Sequence, residues 1–254
     1  MRNVYKKIHE NTKKGLKMLG VLIDPDKYDI AKLTHVLGLC QQHKVDFILV
    51  GGSLLMQNRF EETIRTLKTQ TDIPIIIFPG NGFQISSNAD AILFTSLLSG
   101  RNPEYLIGQQ VLAAPFIKEF DLETIGTAYL LIESGGSTSV SYMSNTKAIP
   151  ANKSDIAVAT SLAAAMMGMQ MIYLEAGSGA KYPVPDEMIQ QVKKYVSLPL
   201  ICGGGINDME AALNKYKAGA DLIVIGNGAE KDPDLIGNIT EAKNRFIELT
   251  SNLI

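Results

Sequence analysis

The fold class this sequence predicts is a closed barrel of parallel β/α units, and three observations predict it. Short apolar runs recur along the chain at residues 19–23, 47–50, 75–78, 91–95, 127–132, 171–174, 198–201 and 222–225, which makes eight candidate strands. Amphipathic or helix-forming stretches separate most of them, and strands alternating with helices form a parallel sheet that closes at eight. The length of 254 residues suits one such barrel, which takes about 250. The third observation is residues 198–228, LPLICGGGINDMEAALNKYKAGADLIVIGNG, where two successive strands each end in a glycine turn. In barrels of this kind the loops after strands 7 and 8 often form a phosphate site, because glycines let backbone N–H groups approach an anion.

In chain order, residues 2–17 predict an extra helix before the first strand. The helices between strands fall at residues 30–43, 60–69, 103–120, 156–169, 186–196 and 208–217. The gap after the third strand, residues 80–89, is too short and polar for a helix and predicts a loop. Asn102 reads as a helix cap with Pro103 and Glu104 behind it. Residues 133–154 form a long polar connection of the composition expected in a lid or binding loop. The helix at 156–169, IAVATSLAAAMMGM, carries no charge, which suits either a snug position among helices or a subunit interface. Asp232 and Pro233 open a closing helix over residues 233–252. No linker divides the chain, so residues 1–254 read as a single domain.

Composition excludes several functions. Twenty-four basic and 26 acidic residues are well mixed, leaving a net charge of −2 and no basic stripe for nucleic acid. No apolar run approaches the roughly 20 residues of a membrane span, and the charged start is unlike a signal peptide. Two cysteines, Cys40 and Cys202, suit a reduced, cytoplasmic protein rather than a disulfide scaffold. Contact with a membrane surface stays open.

Barrel chemistry gathers at the C-terminal ends of the strands. His9, His35 and His43 all fall on predicted helices, which removes a Ser–His–Asp triad and a His-based metal site. No lysine sits within a predicted strand, which weakens a Schiff-base mechanism. What remains is a site of hard oxygens. Asp24 and Ser53, from adjacent strands, can hold Mg2+, although Asp24 in IDPDKYD also reads as a turn residue. Glu175 follows an apolar strand at the barrel mouth and faces the predicted phosphate site, where a carboxylate suits the hydroxyls of a polyol. The rival readings are a phosphosugar isomerase or aldolase, a non-catalytic phosphate-binding protein, and an oligomeric scaffold.

IDPD, VGGS and FPG after the first three strands, YLEAGSGA after the sixth, GGGI after the seventh and IGN after the eighth together resemble geranylgeranylglyceryl phosphate synthase. The similarity covers essentially the whole chain. It implies a modified (β/α)8 TIM barrel with the third helix replaced by a loop. It implies transfer of a prenyl group from a prenyl diphosphate, taken as geranylgeranyl diphosphate, to the sn-3 hydroxyl of sn-glycerol 1-phosphate, with a longer heptaprenyl donor as the alternative. By the resemblance, Asp24 and Ser53 serve Mg2+ and the diphosphate. Tyr173, Leu174, Glu175, Ala176, Gly177, Ser178 and Gly179 wrap the glycerol phosphate, and Gly204, Gly205, Gly226 and Asn227 hold its phosphate. The residues after strand 4, Tyr105 and Leu106, are candidates for a prenyl groove or for ordinary helix core. Glu175 and Asp24 carry the catalytic roles, with Glu175 expected to orient the hydroxyl rather than act as a strong base. The long polar loop resembles the broader group of the family that forms dimers or larger rings.

Overall fold

A computed structural model describes residues 3–251. Its strands β1 (Met18–Ile23), β2 (Phe47–Val50), β3 (Ile75–Ile77), β4 (Ala91–Leu97), β5 (Glu123–Leu131), β6 (Met171–Glu175), β7 (Leu200–Gly203) and β8 (Leu222–Ile225) form one closed, all-parallel barrel in sequence order. The expected barrel is therefore the observed one, and β1 pairs with β8 to shut it.

Alternation along each strand creates two apolar layers. Met18, Phe47, Leu49, Ile76, Leu93, Ile125, Met171, Ile201, Leu222 and Val224 fill the interior. Their neighbours, including Leu19, Ile48, Ile172, Leu174, Cys202 and Ile223, pack outward against the helices. The same parity continues past the strand ends: Asp24 follows inward Leu22, and Glu175 follows inward Tyr173.

The outer helices are α2 (Ile30–Gln42), α3 (Phe60–Gln70), α4 (Gln109–Glu119), α6 (Ser154–Met166), α7 (Asp186–Tyr195), α8 (Met209–Ala218) and α10 (Leu235–Ser251). Asp29 caps α2 by accepting the Lys32 N–H at 2.8 Å, and Asp208 caps α8 by accepting the Ala211 N–H at 2.7 Å. As expected, residues 80–89 hold no helix after β3. Position 2 of the expected first helix and position 252 of the closing one lie outside the described residues. Among the described residues, no helix is long and apolar enough to cross a membrane.

Three local features differ from the expectation. The helix expected from 103 begins with a wide π turn, Glu104–Gly108, opened by the Asn102 Oδ1 bond to the Glu104 N–H at 3.1 Å. The polar connection 133–154 contains a short helix, α5 (Ser139–Ser144), with a reciprocal Thr138–Ser141 capping box. The glycine turn after β8 winds into α9 (Asn227–Lys231), so α10 starts at Leu235, two residues after Pro233. Six-residue and five-residue helices are too short to leave a periodic pattern.

The first helix, α1 (Val4–Lys13), closes the end of the barrel opposite the mouth, with Val4 and Ile8 joining the interior layer. Asn3 makes no side-chain cap there; Glu123, at the start of β5, instead accepts the N–H groups of Val4 at 3.0 Å and Tyr5 at 2.8 Å. A carboxylate on two free N–H groups also complements the helix dipole. Glu123→Ala should therefore cost about 1 kcal/mol, the usual value of a lost helix cap. In thermal unfolding that is a fall in Tm of about 2–4 °C, and an unchanged Tm would mean the plug holds by apolar contact alone.

Candidate active site

At the C-terminal ends of the strands lies a cavity of about 610 Å3, lined by residues from every loop of the mouth. Its two ends have different chemistry. At one, Asp24 and Ser53 follow β1 and β2; at the other, Glu175, Gly177, Gly204, Gly205, Gly226 and Asn227 follow β6, β7 and β8. Phe78, Tyr129 and Tyr173 stand between them as an aromatic floor, with Phe78 stacked on Tyr173 at 5.0 Å and Tyr129 edge-on to Tyr173 at 5.6 Å.

Glu175 is the central group. It is 7% exposed, and its partner across the β6–β7 register is Gly203. That glycine is required by contact: a Cβ there would fall 2.6 Å from the Tyr173 hydroxyl and 2.7 Å from Glu175 Oε2. The next residue, Gly204, has φ +81°, and a Cβ on it would lie 2.5 Å from Glu175 Oε1. Oε1 accepts the Gly177 N–H at 2.6 Å. Burial pushes the Glu175 carboxyl up to about 7, against the opposing pull of the Gly177 N–H and the neighbouring Tyr173 hydroxyl. The Tyr173 hydroxyl is buried beside that carboxyl and lines the cavity, where a ligand can meet both groups. Farther along the rim, Ser178 Oγ donates to Asn227 Oδ1 at 2.9 Å and joins the β6 and β8 loops.

At the opposite end Asp24 Oδ1 accepts the Asp26 N–H at 3.0 Å, and a Cβ on Gly52 would lie 3.3 Å from Asp24 Cγ. Burial raises the Asp24 carboxyl, helped by the like charge of Asp26. Glu230, on α9, is raised by burial and then by Asp24. Asp26 raises Asp24 and Asp24 raises Glu230, so like charge collects here, which fits a divalent cation. Among the described residues no three His, Cys, Asp or Glu side chains gather into a metal cage. That sparse set suits Mg2+, which keeps waters and substrate phosphates as its other ligands.

The profile of the PcrB family matches residues 13–243. A geranylgeranylglyceryl phosphate synthase of Chitinophaga pinensis is 47% identical over 239 residues, 94% of this chain and 95% of the relative. One of Flavobacterium johnsoniae is 48% identical over 232 residues, covering 91% and 96%. The chain belongs to the PcrB family. It is a prenyltransferase of the geranylgeranylglyceryl phosphate synthase kind. The crystal structure of (S)-3-O-geranylgeranylglyceryl phosphate synthase from Thermoplasma acidophilum, in complex with its substrate sn-glycerol-1-phosphate, superimposes with a TM-score of 0.86 at 36% identity, over 96% of this chain and 97% of that one.

Of the residues singled out by the PcrB-family motifs, Asp24, Ser53, Tyr105, Tyr173, Glu175, Gly177, Ser178, Gly179, Gly204, Gly205, Gly226 and Asn227 line the cavity. Leu174 and Ala176 do not: strand parity turns both outward, where their side chains pack in the layer under the helices. Tyr105 meets the cavity beside Val140 and Met143, and its hydroxyl donates to the Met143 carbonyl at 3.2 Å. Leu106 is absent from the lining and half-buried, outside the apolar core, and its carbonyl accepts the Ser96 hydroxyl at 2.8 Å. Ser99, just after β4, accepts the Leu131 N–H at 2.9 Å and ties the end of β4 to β5. The glycines also divide. A side chain at Gly204 collides with Glu175 and the Gly177 backbone, whereas a Cβ at Gly226 would meet only Leu22, at 3.4 Å or more.

Sequence reasoning missed Glu230 and Asn207, both on the lining. Glu230 lies between the glycine turn that ends at Gly228 and the closing helix, and the five-residue α9 that carries it leaves no periodic signal.

Glu175 gives stability a defined pH dependence. Its folded-state value of about 7 exceeds the 4.5 of an ordinary glutamate, so folding takes up a proton between those values. The ionised carboxyl thus weakens the fold above about pH 7 and has no effect below about pH 4.5. Glu175→Gln keeps the acceptor for Gly177 without the charge. Its Tm should match wild type near pH 4.5 and exceed it increasingly up to pH 7. A pH-independent difference in differential scanning fluorimetry would contradict the desolvated carboxyl.

Proposed function

We propose that this enzyme joins the geranylgeranyl group of its diphosphate to the sn-3 hydroxyl of sn-glycerol 1-phosphate with the help of Mg2+. The observation that carries the reading is the desolvated Glu175 carboxyl, seated over Gly203 and Gly204 and facing a cavity whose other end is Asp24 and Ser53. The sn-glycerol-1-phosphate in the Thermoplasma acidophilum enzyme supports the choice of acceptor. The glycine-rich β6–β8 loops receive the phosphate, and Glu175 with the neighbouring Tyr173 hydroxyl takes the glycerol hydroxyls. Asp24 and Ser53 would hold the metal, which supplies positive charge for the departing diphosphate.

The allylic C–O bond breaks, with its electron pair leaving on pyrophosphate. The glycerol oxygen then bonds to the allylic carbon and its proton passes to Glu175. A carboxylate whose pKa is about 7 is matched to that transfer at neutral pH. This goes beyond the orienting role expected from the sequence, because an exposed glutamate near 4.5 would accept the proton poorly. The prenyl tail lies along Tyr105, Val140 and Met143, the apolar side of the cavity. The reading includes a cytoplasmic homodimer or larger ring; the free buried thiols Cys40 and Cys202 and the exposed Met166 and Met167 at the end of α6 support it.

The test is turnover of labelled sn-glycerol 1-phosphate against a series of prenyl diphosphates, with product identification. Geranylgeranylglyceryl phosphate is the expected product; selective use of the heptaprenyl donor would move the donor assignment, and no ether product would overturn the reading. Asp24→Asn should require more Mg2+ and turn over far more slowly. The wild-type rate should rise with pH as Glu175 ionises near pH 7. In Glu175→Gln that limb should vanish with a loss of about 10²–10⁴-fold in turnover. A retained limb would return Glu175 to a purely orienting role.

A further inference from the structure

The loop that stands where a third helix would be expected carries one side chain with an unusual set of partners. Gln84 is 3% exposed, and both ends of its amide bond the backbone at the ends of two strands. Its Nε2 donates to the Gly52 carbonyl at 2.7 Å, and its Oε1 accepts the Gly80 N–H at 3.1 Å and the Gly52 N–H at 3.3 Å. One amide thus splices the turn after β2 to the turn after β3, on both sides of the Gly52 peptide. Gly52 is no neutral point of attachment. It precedes Ser53, and the Asp24 carboxyl lies against it, 3.3 Å from where a Cβ would be.

We propose that Gln84 is a positioning residue that holds the Gly52–Ser53 turn in register with Asp24, and thereby sets the affinity of that end of the cavity for a magnesium-bound diphosphate. The inference rests on the proposed division of the cavity between diphosphate and glycerol phosphate. A buried amide that makes three hydrogen bonds fixes a backbone far more tightly than packing alone, since any displacement leaves polar groups unpaired. The turn after β2 needs such a fixture because α3 begins only at Phe60, leaving residues 51–59 without regular structure. A helix after β3 would bury an apolar face there; a loop can send a polar side chain back into the strand ends. The same loop is tied to the start of α4, where the Gly82 N–H donates to Gln109 Oε1 at 2.6 Å.

Gln84→Met keeps the length of the side chain and removes all three bonds. Three readouts separate positioning from bulk stability: amide exchange at Gly52 and Gly80 by NMR, calorimetric affinity for inorganic pyrophosphate in saturating Mg2+, and the KM for glycerol phosphate. Gln84→Met should speed exchange at both glycines and weaken pyrophosphate on the order of tenfold to a hundredfold, as expected for a displaced site. The KM for glycerol phosphate should stay within about twofold, a specificity that general loosening would not give. Ile64→Val, buried on α3, is the control for lost stability and should leave pyrophosphate affinity intact. Wild-type pyrophosphate affinity in Gln84→Met, or an equal loss in Ile64→Val, would overturn the positioning role. Failure of the wild-type protein itself to bind pyrophosphate would instead overturn the diphosphate assignment, and the role of Gln84 with it.

Discussion

The site depends on one enforced contact, a carboxyl held out of water against two glycine backbones. Glu175 and Gly203 are register partners on adjacent strands, and both point into the barrel. Only the missing Cβ of Gly203 lets the carboxyl and the Tyr173 ring share that space. Burying an acid is costly, and the protein offsets the cost with the Gly177 N–H and the Tyr173 hydroxyl rather than with a cation. The carboxyl is therefore left basic enough to take a proton near neutrality. A lysine or arginine partner would have stabilised the fold and removed that basicity.

The rest of the mouth follows from keeping unlike chemistries apart. Asp24 lies at the β1 end, where its charge raises Glu230 on α9, and backbone donors gather along the β6 and β7 loops. The stacked Phe78, Tyr129 and Tyr173 form a common aromatic floor between the two. Because each strand supplies its inward residue at fixed parity, the division is built by the barrel and needs no large loop rearrangement.

Much of this was legible in the sequence because the barrel repeats a simple pattern. All eight strands carry apolar runs, and the strand-end motifs that resemble the family fall at the mouth. Glu175 stood out as an acid directly after an apolar strand. Strand parity was the information left unused: it turns Leu174 and Ala176 away from the cavity although they lie inside the motif. The short helices α5 and α9 were hidden because five or six residues cannot show a period. Gln84 was hidden for another reason, since its partners are backbone atoms 32 and 4 residues away that no local pattern specifies.

The central claim is that Glu175 titrates near neutrality inside a glycine-lined pocket. Carboxyl-carbon NMR of protein labelled at its glutamate side chains, with Glu175→Gln to assign the resonance, measures this directly. The account predicts a midpoint of about 7 for Glu175 and a shift of that resonance when sn-glycerol 1-phosphate is added. A midpoint close to 4.5, unmoved by glycerol phosphate, would contradict it.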